Sequence, residues 1–174
     1  MINNVEKYHP YIYGVLGFSS LILFLLQKIP GFSLRVGTAT PILLLPLLIV
    51  ISCFLKEWVG FWFGLLFGVA LDIFAPGSRI FNTIIFILIG VGAGLLFHYF
   101  FNRNIKAVVI GGFIICFAYF TVKWMIFTVF FAEGSAFLRL FKYEIPSLIY
   151  TALFVIPFFY FVKKLCKRYI IHNC

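Results

Sequence analysis

Charge is what this chain has least of: 11% of its 174 residues are Asp, Glu, Lys or Arg and 64% are hydrophobic, whereas soluble domains carry about 25% charged residues. A water-soluble fold of this size could not cover so much apolar surface. Cysteine is sparse as well. Cys53, Cys116, Cys166 and Cys174 form no Cys-x-x-Cys pair, and two of them fall inside apolar segments, so neither a metal site nor a disulfide framework is expected. Cys174 occupies the last position rather than the fourth from the end, which does not fit a prenylation box. No glycine run is followed by a lysine and hydroxyl at phosphate-binding spacing. Nothing in the sequence looks like an enzyme active site, and no cofactor is expected. Long polar connections are missing too: the longest, Glu133 to Glu144, has twelve residues and leaves no room for a soluble domain.

What is present is a series of six apolar stretches, Tyr8 to Gln27, Val36 to Leu55, Trp58 to Ser78, Ile80 to Asn102, Ala107 to Ala132 and Ile145 to Val162. A hydrocarbon core of about 30 Å needs about 20 mostly apolar residues in a helix, and each stretch approaches or exceeds that length. Only Asp72 and Lys123, of the nineteen Asp, Glu, Lys and Arg residues, lie inside them. Backbone amides in lipid must be satisfied within the spanning structure, and unbroken apolar runs exclude the alternating pattern of a barrel. The expected fold class is therefore all-α, a polytopic integral membrane protein with six transmembrane helices in one bundle over residues 1–174. The first stretch is longer than the apolar region of a cleaved signal and reads as a retained helix.

Bases outnumber acids fourteen to five, giving a net charge of +9. In a membrane protein this balance reports topology before any partner, because cytoplasmic flanks retain Lys and Arg; nucleic acid is not implied. With both termini cytoplasmic, the inner segments carry eight such residues, Lys7, Lys56, Arg103, Lys106, Lys163, Lys164, Lys167 and Arg168. The outer loops carry five, Lys28, Arg35, Arg79, Arg139 and Lys142. Lys163, Lys164, Lys167 and Arg168 leave the sixth span directly and are expected to contact anionic membrane lipids or a cytoplasmic partner.

The most informative segment is EWVGFWFGLLFGVALDIFAPGS. Gly60, Gly64, Gly68 and Asp72 recur at every fourth position, which on a helix of 3.6 residues per turn makes one slowly drifting stripe. Lipid tails are as apolar as leucine, so helices associate in a bilayer through close packing and polar contacts, and small residues at this spacing provide the first. The next span repeats the device with Asn82, Phe86, Gly90, Gly94 and His98, and Gly92 between them. Ala75, Pro76, Gly77 and Ser78 form the turn of an antiparallel helical hairpin. Gly60, Gly64, Gly68, Asp72, Asn82, Gly90 and Gly94 are thus candidates for helix packing or for a partner interface.

A carboxylate within a span is a functional candidate because it is costly there, about 2.5–3.5 kcal/mol on insertion scales. Asp72 lies six residues before Ser78, and Lys123 nine before Ala132. At the helical rise these are depths of about 9 and 13.5 Å in the same leaflet. The two are expected to form an intramembrane charge pair or to share a polar network, with Arg79 a competing partner for the carboxylate. His98 reads as an interfacial residue. Pro157 removes the hydrogen bond to the carbonyl of Leu153 and should kink the sixth span.

The pattern E-x2-G-x3-G-x3-G-x3-D, a Pro-Gly turn, an asparagine and a glycine-rich next helix resemble the bacterial rod-shape-determining MreD family from Glu57 to Leu95. The matching positions are Glu57, Gly60, Gly64, Gly68, Asp72, Gly77, Asn82, Gly90 and Gly94; one departure is Ile80, where family members commonly have glycine. The resemblance implies a non-enzymatic membrane scaffold subunit of the cell-elongation (rod) complex in the bacterial inner membrane, supporting cell shape and lateral peptidoglycan synthesis. It implies the partners MreC, RodA, a class B penicillin-binding protein and MreB. The alternative is a substrate-binding S component of an energy-coupling-factor vitamin transporter, which shares span count and length but needs an internal polar pocket. The first span lacks an Ala-x3-Ala motif like the one such components use for docking.

Overall fold

The computed structural model describes residues 11–28, 41–74, 80–99, 105–126 and 144–169. These form α1 (Tyr11–Lys28), α2 (Leu44–Leu55), α3 (Glu57–Ile73), α4 (Phe81–Tyr99), α5 (Ile105–Trp124), α6 (Ile145–Leu153) and α7 (Val155–Tyr169). The described residues are all-helical, as expected, and contain no strand. Three helical stretches among them are long and apolar enough to cross a membrane, Phe81–Tyr99, Ile105–Trp124 and Ile145–Arg168, the last running through α6 and α7. The turn from Ala75 to Arg79, including Gly77, lies outside the described residues.

The architecture follows from α2. Its sequence, LLPLLIVISCFL, is apolar on every side, and all twelve residues are buried. A helix hydrophobic all round belongs in the centre of a bundle, and α2 touches each of the other six helices. It is short, about 18 Å at the helical rise, because the chain before Leu44 is not helical back to Pro41. Pro46 fits its first turn, where backbone N–H groups have no intrahelical acceptor. Two hydrogen bonds fix that end: Gln27 Nε2 donates to the Pro41 carbonyl at 2.9 Å, and the Ile42 N–H donates to Thr151 Oγ1 at 3.2 Å.

Around this axis the remaining helices show one face inward and one outward. The outward faces are apolar: Trp58, Trp62, Leu66 and Ile73 on α3, Ile84 and Leu88 on α4, Phe113 and Phe117 on α5 are all exposed. Contiguous apolar surface of this kind suits lipid rather than water. The hydroxyls of Ser19 and Ser20 on α1 donate back to the carbonyls of Leu16 and Gly17, at 2.9 and 2.7 Å, and so need no water.

A single residue, Lys56, joins α2 to α3. Its φ of 76° lies where side-chain-bearing residues are strained, and the chain reverses there without a loop. The last helical stretch is broken as Pro157 required: α6 ends at Leu153, the residue whose carbonyl faces the proline ring, Phe154 is a turn, and α7 begins at Val155.

Candidate functional site in the third and fourth helices

The most extensive helix contact in the bundle is between α3 and α4, and the glycines are the reason. A methyl group built on Gly60 would meet the carbonyl oxygen of Gly90 and the Oγ of Ser52. On Gly64 it would lie 2.5 Å from the carbonyl oxygen of Phe86, and on Gly94 it would lie 2.6 Å from the Cα of Glu57. On Gly68 it would meet the Cα of Thr83, and on Gly90 the carbonyl oxygen of Gly60. Ordinary carbon to carbonyl-oxygen contacts fall at about 3.3–3.6 Å, so backbone touches backbone along the whole hairpin. Gly92, between the two glycines of α4, has open space and takes no part. Of the two readings the sequence allowed for the stripe, the structure displays packing within the chain.

The same idea recurs at lower intensity on α5, where Gly111 faces the Phe97 ring of α4 and Gly112 faces Val155 of α7.

Asp72 completes the hairpin at its other end. It sits in the last turn of α3, where the helix dipole disfavours a negative charge, but beside the first turn of α4, where unpaired N–H groups and the dipole favour one. Oδ1 accepts the backbone N–H of Asn82 at 3.2 Å and its Nδ2 at 2.9 Å. Oδ2 accepts the backbone N–H of Thr83 at 2.8 Å and its Oγ1 at 2.7 Å. A carboxylate from one helix therefore serves as the N-terminal cap of the next. The network continues to α5, because the hydroxyl of Tyr119, 2% exposed, donates to Asn82 Oδ1 at 2.9 Å. The Tyr119 ring also meets Phe86 edge-on at a centroid distance of 5.7 Å.

Lys123 takes a different partner from the one expected. Its Nζ lies 3.6 Å from Glu144 Oε1, just ahead of α6, and 5.6 Å from the centre of the Phe120 ring. The reason is geometric: α4 supplies four donors to the Asp72 oxygens, while Lys123 sits a full turn beyond Tyr119 on α5, next to the start of α6. Arg79, the other partner considered, lies outside the described residues.

The structure thus brings Gly60, Gly64, Gly68, Asp72, Asn82, Gly90 and Gly94 into one assembly, and Lys123 pairs with Glu144 rather than directly with Asp72. Lys163, Lys164, Lys167 and Arg168 are at the opposite end of the bundle, on the exposed side of α7. Sequence reasoning missed Thr83, Tyr119, Ser52 and Glu144. Tyr119 carried a signal, since a phenol deep in a span must find an acceptor. Thr83 carried another, because a hydroxyl in the first turn of a helix is a common local capping group. At the hairpin's open end, the buried Oε2 of Glu57 and Oγ of Ser52 have no hydrogen-bond partner among the described residues.

A family model described as rod shape-determining protein MreD matches residues 9–169, nearly the whole chain. The chain belongs to the MreD family. No curated protein and no solved structure matches it. MreD proteins act in rod-shape determination, as shape-determining membrane proteins rather than members of a known enzyme family. The match extends from the glycine hairpin into α1, α5 and α7, where the sequence had offered only span count and hydropathy, and it displaces the vitamin-transporter alternative.

Proposed function

We propose that this MreD-family chain is a scaffold subunit of the bacterial cell-elongation (rod) complex. It binds MreC and, with it, RodA, a class B penicillin-binding protein and MreB, and so supports lateral peptidoglycan synthesis. The observation that carries the reading is the α3–α4 hairpin. Its glycine groove is filled by backbone of the same chain, and its polar end is held by a five-bond network reaching α5. Such an element keeps its shape while presenting outward faces, Trp58, Trp62 and Leu66 on α3 and Ile84 and Leu88 on α4, to helices of other chains. A scaffold biases a synthase only through contacts that differ between its inactive and active arrangements, and a rigid face supplies such a difference better than a pliable one.

Placement in the inner membrane with cytoplasmic termini is supported by the distribution of charge. Among the described residues, the end of the bundle holding the α2–α3 turn, the start of α5 and the end of α7 carries Lys56, Lys106, Lys163, Lys164, Lys167 and Arg168, against Lys28 and Lys123 towards the other; over the whole sequence the lean is eight to five. Retention of Lys and Arg on the cytoplasmic side favours the first end as the inner one.

The test is isolation of the tagged chain from native membranes in a mild detergent, with companions identified by mass spectrometry. Recovery of MreC with RodA or a penicillin-binding protein supports the reading. Recovery of a transporter coupling protein with paired ATPases, or of no rod-complex subunit, refutes it.

A further inference from the structure

α7 continues as a helix well beyond the end of its apolar sequence. Val155, Phe159, Val162 and Cys166 form its buried stripe, which packs on α2 and α5. The exposed side is divided along its length. Tyr160 and Phe161, 58% and 41% exposed, are followed at helical spacing by Lys164, Lys167 and Arg168, all exposed. Residues 160, 161, 164, 167 and 168 share one face of an α-helix. Lys163 lies off that face, its Nζ 5.4 Å from the centre of the Phe159 ring.

The register of the bundle fixes the level of this face. Gly112 against Val155 and Lys123 against Glu144 set α5 antiparallel to α6 and α7, which brings Lys106 level with Phe161. The ring of Phe54 lies 5.4 Å from that of Phe159, so Lys56, two residues on, belongs to the same level. The aromatic pair therefore sits where the apolar helices end. Lys164, Lys167 and Arg168 lie about 4.5, 9 and 10.5 Å beyond Phe161 at the helical rise, a reach that begins within and passes the 5–7 Å or so of headgroup on each side of a hydrocarbon core of about 30 Å.

The geometry points to an anionic phospholipid site on this face of α7, with the headgroup phosphate held by Lys164, Lys167 and Arg168 and an acyl chain lying along Phe161 and Tyr160. An acidic soluble peptide would use the cations and leave the two rings below them idle; a lipid uses both. The inference is independent of which proteins the chain binds.

The test uses the full chain, purified in mild detergent and mixed with equal amounts of phosphatidylglycerol and phosphatidylcholine of the same acyl chains, with retained lipids counted by native mass spectrometry. Each cation near an anionic surface contributes about a fivefold preference, so the wild type should retain phosphatidylglycerol at least tenfold over phosphatidylcholine. That preference should shrink at high ionic strength. The variant K164Q/K167Q/R168Q, whose glutamines keep helix propensity, should lower the ratio at least about fivefold, with the remaining preference supplied by Lys56, Lys106 and Lys163 at the same end. Y160A/F161A should reduce retention of both lipids and leave the ratio unchanged. Equal retention by the wild type overturns the proposal without reference to any variant. So does an undiminished preference in the triple variant, or displacement of the lipid by inorganic phosphate beyond that caused by chloride at matched ionic strength.

Discussion

Removing the Asp72 carboxylate should be one of the most damaging single changes in this protein. In Asp72→Ala, four donors lose their acceptor. The Asn82 amide and the Thr83 hydroxyl can turn elsewhere, but the backbone N–H groups of Asn82 and Thr83 are fixed by the first turn of α4. Each buried donor left unsatisfied costs about 1–3 kcal/mol, so the expected loss is about 2–6 kcal/mol. Asp72→Asn keeps one oxygen for the two Asn82 donors and sets an NH2 group against the two Thr83 donors, for a loss of about 1–3 kcal/mol. The assay is reversible unfolding in mixed micelles by denaturing-detergent titration, followed by far-UV circular dichroism. A double-mutant cycle with Tyr119→Phe should show coupling of about 0.5–3 kcal/mol, since the two residues meet through Asn82. If Asp72→Ala unfolds within about 0.5 kcal/mol of the wild type, below the usual cost of a lost buried hydrogen bond, the capping argument is wrong.

Gly64→Ala should cost about 1–3 kcal/mol, the range for overpacking a filled contact, because its methyl group would stand 2.5 Å from the Phe86 carbonyl oxygen; Gly92→Ala, in open space, should be neutral in the same titration. Gly64→Leu or Gly68→Leu should abolish hairpin packing and rod shape in cells that depend on this chain, scored by microscopy; rod-shaped cells would count against the stripe's importance. Lys56→Gly should raise stability by about 1 kcal/mol, because glycine adopts a φ of 76° without strain. Lys123→Gln should change stability by less than about 1 kcal/mol, as befits a part-exposed pair at 3.6 Å, whereas a direct Asp72–Lys123 pair, one of the two arrangements expected from the sequence, would have made it strongly destabilising.

The glycine hairpin was legible because its cause is local: residues four apart on one helix define a stripe whatever surrounds it, and the polar turn between two stripes dictates antiparallel packing. The helix break before Pro157 was legible for the same reason, as a missing N–H and a ring clash are properties of one residue. The partner of Asp72 was not. Depth along two spans placed Asp72 and Lys123 in one leaflet, but depth says nothing about azimuth, and azimuth gave the carboxylate to Asn82 and Thr83 and the lysine to Glu144. The central position of α2 was available in principle from its unbroken apolar circumference, since the other spans leave room for polar or small residues on one side. Its short helix was hidden because residues 41–43 are as apolar as those that follow, so composition alone could not mark where the helix starts.

The central claim is that the glycine stripe is occupied within the chain and that other subunits meet its outward faces. The direct test is photo-crosslinking in living cells, with benzoylphenylalanine placed at Phe67, next to Gly68 in sequence and buried in the bundle core at 1% exposure, and at Trp62, outward at 63%. The account predicts adducts to other proteins from position 62 and only intrachain adducts from position 67. Adducts between chains from position 67 would contradict it, because they would show the stripe opening to a partner.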